Sequence, residues 1–108
     1  MKLIIAIVSS EDSNRVMKHL VKYKYFVTKM ATSGGFLKSG NSTLMIGAND
    51  EQVEDIIDII SRHSKSRTEI IPNSVVSEYG GIMPSVPIEV NVGGATIFIL
   101  DVQQFMKI

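Results

Sequence analysis

The sequence predicts an α+β fold of the split β-α-β or ferredoxin-like plan: one antiparallel sheet carrying two helices on one face, plus a C-terminal hairpin strand. Three observations predict it. Short runs rich in β-branched and aromatic residues alternate with two stretches whose apolar residues recur at helical spacing, in the order β-α-β-β-α-β. Only about ten residues separate the second and third runs, which most simply makes them an antiparallel hairpin. A length of 108 residues, with 44% hydrophobic and 20% charged content, suits one compact domain over residues 1–108.

The chain opens M-K-L-I-I-A-I-V, a six-residue apolar run that meets Ser9, Ser10, Glu11 and Asp12. It is too short for a signal-peptide core or a membrane span, and its Ile and Val content makes it a buried strand. Residues 9–12 supply caps for a helix over 11–22, with Val16, Met17, Leu20 and Val21 on one side and Arg15, Lys18 and Lys22 on the other. Residues 25–31, free of glycine and proline, read as a second strand and 41–47 as a third. Asn49 and Gln52 have capping-box spacing at the start of a second helix, whose stripe is Val53, Ile56, Ile57 and Ile60. Arg62, His63 and Lys65 close it, where cations suit the carbonyl end of the helix dipole.

Residues 66–87 carry Gly80, Gly81, Pro84 and Pro87 with little periodicity and read as a long mobile loop. Ile88, Val90 and Val92 then alternate with polar residues, Gly93-Gly94 makes a two-residue turn, and Thr96, Phe98 and Leu100 follow as the other arm of a hairpin. The tail, 102–108, reads as a short helix or a strap on the sheet. Both faces of the sheet are apolar, because strands such as 3–8 and 97–100 show no polar alternation, so oligomerisation is the economical cover.

Several function classes are excluded. Eleven Lys and Arg balance eleven Asp and Glu, so no net field draws the chain to nucleic acid or to an anionic membrane. Cysteine is absent, which removes disulfides, thiolate metal sites and cysteine nucleophiles and fits a cytoplasmic location. His19 and His63 lack partners at metal-ligand spacing, and the acidic residues of 50–58 form a solvated helix face. No set of residues assembles nucleophile, base and oxyanion donor, so no catalytic residue, metal or cofactor is assigned and the chain is not read as an enzyme.

The segment T-K-M-A-T-S-G-G-F-L-K-S-G-N-S-T-L-M-I-G, 28–47, is the strongest functional signal. Its short glycine loop, 32–41, lets the backbone approach a ligand closely, with N–H groups free to face phosphates or base edges. Phe36 at the loop's tip has no core of its own, so it packs on another subunit or stacks on a planar ligand. The run G-F-L-K-S-G-N-S imitates phosphate-loop spacing, but Asn41 stands where the lysine belongs and a strand follows rather than a helix, so that match is rejected.

Together with K-L-I-I-A-I-V and D-S-N-R near the start and V-G-G-A-T-I-F-I-L near the end, the S-G-G-F-L-K-S-G-N-S-T block resembles the PII-like cyclic-di-AMP receptor family over nearly the whole chain. The resemblance implies a homotrimer with one cyclic-di-AMP in each cleft between neighbouring subunits. It also implies signalling without catalysis, by ordering of two loops that an unidentified downstream protein target reads. By position it makes Thr28 and Asn41 polar contacts to adenine and phosphate, Gly35, Phe36, Leu37 and Gly47 a backbone cradle, and Phe36 and Phe98 aromatic walls. Two positions depart from the family pattern: Phe26 stands where an arginine is usual, and Lys107 where many members have a glutamine. The alternatives are a PII-like sensor of another adenine nucleotide and a small ferredoxin-like enzyme with an intersubunit site.

Overall fold

A computed structural model describes residues 1–30, 40–73 and 86–108. The elements are β1 (Lys2–Ser9), α1 (Ser10–Lys22), β2 (Val27–Met30), β3 (Asn41–Ala48), α2 (Val53–Ser64), β4 (Arg67–Asn73), β5 (Val86–Val92) and β6 (Ala95–Asp101). Four strands form one antiparallel sheet in the order β2-β3-β1-β6, and β4 and β5 form a separate two-stranded ribbon. This is the ferredoxin-like arrangement, with the ribbon inserted between α2 and the last strand of the sheet.

Local chemistry explains where the helices start and stop. The Ser9 hydroxyl accepts the Glu11 N–H at 3.2 Å, and Glu11 and Asp12 occupy the first turn of α1. At the other end Tyr25 N–H donates to Leu20 O and Lys24 N–H to Val21 O, with Lys24 at φ 66. That is a Schellman ending built on a lysine where glycine is usual. Before α2, a 3-10 turn over Asp50–Gln52 is fixed by the Gln52 side chain, which accepts the Asn49 N–H at 2.9 Å.

Burial alternates along the central strands. Ile4, Ala6 and Val8 of β1 and Leu44, Ile46 and Ala48 of β3 are buried with Val16 and Leu20 of α1 and Ile56 and Ile60 of α2. Both helices therefore cover the same face of the sheet. Val21, assigned by spacing to the apolar side of α1, is instead exposed at the helix end.

Two sequence expectations need correction. The segment 66–87 is not one loop, since β4 and the start of β5 lie within it; residues 74–85 lie outside the described residues. Residues 88–92 do not pair with 96–100 either: β5 pairs with β4, and β6 pairs with β1. The reason sits at the turn. A Cβ on Gly93 would lie 2.6 Å from Lys65 O and 2.7 Å from Arg67 Nη1, so the turn is wedged into the base of the ribbon and sends the chain from one sheet to the other.

Candidate functional site

Residues paired across an antiparallel sheet share a face, so the register reads out the surface opposite the helices. One rank across it is Thr28, Met45, Ile5 and Phe98, and the next toward the loop end is Met30, Thr43, Ile7 and Thr96. On the other side lie Gly47, Leu3 and Leu100, and continuing the β2 register sets Phe26 beside Gly47. Met30, Phe98 and Leu100 are each more than 40% exposed and Phe26 is 89% exposed, so this is an open apolar face.

At the end of the face nearest the tail lies a cavity of about 630 Å³, whose lining includes Phe26, Thr28, Gly47, Phe105 and Lys107. The tail is tied to the sheet where Val102 N–H donates to Met1 O at 3.2 Å, and residues 105–107 reach the same cavity as β2. Gly47 keeps the floor low: a Cβ built on it meets nothing within 4 Å. Lys107 is the charged side chain among the described lining residues.

Asn41 lies elsewhere. It lines a smaller polar recess of about 280 Å³ with Ser9, Gly93, Gly94 and Thr96 at the opposite end of the sheet. It lies six residue steps along β3 from Gly47, about 20 Å at strand rise. Of the residues singled out from sequence, Thr28 and Gly47 thus share one cavity. Phe98 is in rank with Thr28 but three strands away, about 14 Å at ordinary strand spacing. Gly35, Phe36 and Leu37 lie outside the described residues.

Sequence reasoning missed Met45 and Leu3 on the cavity lining and Ser9 and the Gly93-Gly94 turn in the recess; only strand register carries that information. It also missed the pairing of His19 with His63, whose rings stack at 3.6 Å and 22° between the two helices. The Arg15 carbonyl lies 2.9 Å from His19 Nδ1, so that nitrogen carries the hydrogen. Burial, then the neighbouring His19, Arg15 and Arg62, hold the His63 pKa below the usual imidazole value. The adjacent cavity of about 490 Å³ sets Lys22 and Arg62 against Asp55 and Asp58, with Arg62 and Asp58 paired at 2.8 Å. This is a balanced helix-side surface rather than an anion site. Among the described residues, no group of three or more His, Asp or Glu is placed to hold a metal ion, and no helix is long and apolar enough to cross a membrane.

Comparison with known proteins supports the fold. A solved structure of a protein of unknown function from Pediococcus pentosaceus is similar at 39% identity and a TM-score of 0.77, covering 99% of this chain and 96% of that one. The model of the cyclic-di-AMP receptor family matches residues 1–108. From end to end, then, the chain belongs to the cyclic-di-AMP receptor family.

Proposed function

We propose that this chain is a PII-like signalling protein of the cytoplasm, a homotrimer that binds cyclic-di-AMP in clefts between neighbouring subunits. It signals to a downstream protein target by ordering its loops, without catalysis and without a cofactor. Family membership over the full 108 residues carries the reading. The open face supports it. An adenine is held best between flat apolar surfaces with hydrogen bonds at its edge, whereas Thr28 and Phe98 sit three strands apart on a single exposed sheet. A neighbouring subunit laid on that face would supply the second wall and cover Phe26, Met30, Phe98 and Leu100. Gly35, Phe36, Leu37 and Gly47 then supply the backbone cradle, Asn41, at the far end of β3, makes a polar contact from the neighbouring subunit, and backbone amides with Lys107 meet the phosphates despite zero net charge.

A second reading, a PII-like sensor of another adenine nucleotide, is favoured by one observation. Phe26 lines the cavity where the family resemblance leads to an arginine. A lost charge-assisted hydrogen bond is worth about 1.5–3 kcal/mol, so affinity for the dinucleotide falls by one to two orders of magnitude unless Lys107 replaces it. Parallel calorimetric titration with cyclic-di-AMP, cyclic-di-GMP and ATP separates the readings. Selective binding of cyclic-di-AMP, one per subunit boundary, is the expected outcome. Tighter binding of ATP favours the second reading, and no binding of any of them sinks both.

A further inference from the structure

At the loop end of the sheet, four chain segments meet on one carboxylate. Asp12, in the first turn of α1, is 1% exposed. Arg67, the first residue of β4, grips it with both hands of its guanidinium, Nη1 to Oδ2 at 3.2 Å and Nη2 to Oδ1 at 3.0 Å. Arg15 Nη2 donates to the same Oδ1 at 3.2 Å and to His63 O at 2.9 Å, which ties in the end of α2. The fourth segment is the Gly93-Gly94 turn. Gly94 N–H donates to Ser64 O, and Gly93, at φ 80, packs so that any Cβ would stand 3.2 Å from Asp12 Oδ2 and closer still to Arg67.

That turn has a second side. Gly93 and Gly94 also line the recess that holds Asn41 and Ser9. One backbone turn therefore separates the Asn41 recess from the clamp that fixes the base of the ribbon, and it is tightly packed at Gly93. Among the described residues the ribbon is hydrogen-bonded as a sheet only within itself, and two strands alone are marginally stable, so the clamp at its base sets its orientation. A buried ion pair is seldom retained for stability, since apolar residues of the same volume usually serve as well. What the arginine fork adds is a single allowed geometry.

We propose that Asp12 and Arg67 are positioning residues for signalling: their ion pair transmits occupancy of the Asn41 recess, through the Gly93-Gly94 turn, to the β4–β5 ribbon. The inference rests on the reading above that Asn41 contacts the nucleotide. Neither residue lines that recess.

The test measures hydrogen exchange of ribbon residues 67–70 and 88–92 in the full chain with and without saturating cyclic-di-AMP, alongside calorimetry on the same samples. The variants are D12N and R67M. In the parent, ligand slows ribbon exchange by about fivefold or more, the lower end of ordinary site-to-site coupling. In both variants the ribbon no longer responds, while affinity changes by no more than the lost response, the limit that reciprocity sets. Should D12N fail to fold because two arginines are left without a partner, R67M, at a side chain 34% exposed, carries the test. A variant ribbon that responds like the parent overturns the proposal, as does a parent ribbon that ignores ligand shown by calorimetry to bind. A parent that binds no cyclic-di-AMP removes the nucleotide reading itself, and the coupling with it.

Discussion

Replacing Gly47 with valine should raise stability and lower affinity at once. Gly47 lies in β3, is not among the positive-φ glycines, and a Cβ built on it meets nothing within 4 Å. An L-residue is therefore tolerated, and removing glycine from a strand gains about 0.5–1 kcal/mol, more so with a β-branched replacement. For a domain of this size that raises the melting temperature by about 2–8 °C. The new methyls stand in the cavity of about 630 Å³ beside Thr28 and Phe26. They hold any ligand away from the β3 backbone, and losing one hydrogen bond plus the displaced contact costs about 1.4 kcal/mol or more, a tenfold drop. Thermal unfolding and calorimetric titration with cyclic-di-AMP on one preparation read both effects. Unchanged binding in a stabilised variant would show that this cavity is not the nucleotide site, and a lower melting temperature would show that the floor of the cavity is structural.

Lys24→Gly should stabilise the chain by about 0.5–1 kcal/mol, because the φ of 66 at Lys24 strains an L-residue and glycine adopts it freely; a chemical denaturation midpoint that stays put or falls contradicts the Schellman assignment. Thr43, 6% exposed with its hydroxyl buried and without a protein hydrogen-bond partner among the described residues, should tolerate Thr43→Val with no loss, or with a gain of up to about 1 kcal/mol. A clear loss of melting temperature would mean that the hydroxyl has a partner in the assembled protein. The folded His63 pKa lies below 6.5, so the unfolded chain takes up the proton more readily, and stability present above pH 6.5 declines as pH falls toward the folded value. Melting temperature between pH 7.5 and 5.5 should fall more steeply in the parent than in His63→Gln, and equal slopes refute the assignment. Asp101, held below its usual value of 3.8 by its hydrogen bond from Lys2, titrates outside that window.

Most of the fold was legible because its signals are local. The spacing of Val16 and Leu20, of Ile56 and Ile60, and the capping residues Ser9 and Asn49 act within a turn or two of helix, and the structure places both helices where they indicate. The ribbon was not legible. Arg67–Asn73 contains a proline and polar residues and owes its strand conformation to pairing with β5 and to the Asp12 clamp some fifty-five positions away. The Gly93-Gly94 turn looked like a hairpin for the same reason: local turn chemistry cannot reveal that its flanking strands belong to different sheets. How the candidate residues are arranged was only partly legible. The strand expected over 41–47 already sets Asn41 and Gly47 at its two ends, but nothing in spacing brings Lys107 up to Thr28.

A crystal structure of the chain with cyclic-di-AMP tests the central claim most directly. The expected result is a threefold assembly with one dinucleotide at each subunit boundary, Thr28 and Gly47 of one subunit on one side of it and the Phe98 face of its neighbour on the other. A dinucleotide held wholly by one subunit, or bound on the helix side beside His19 and His63, would contradict it.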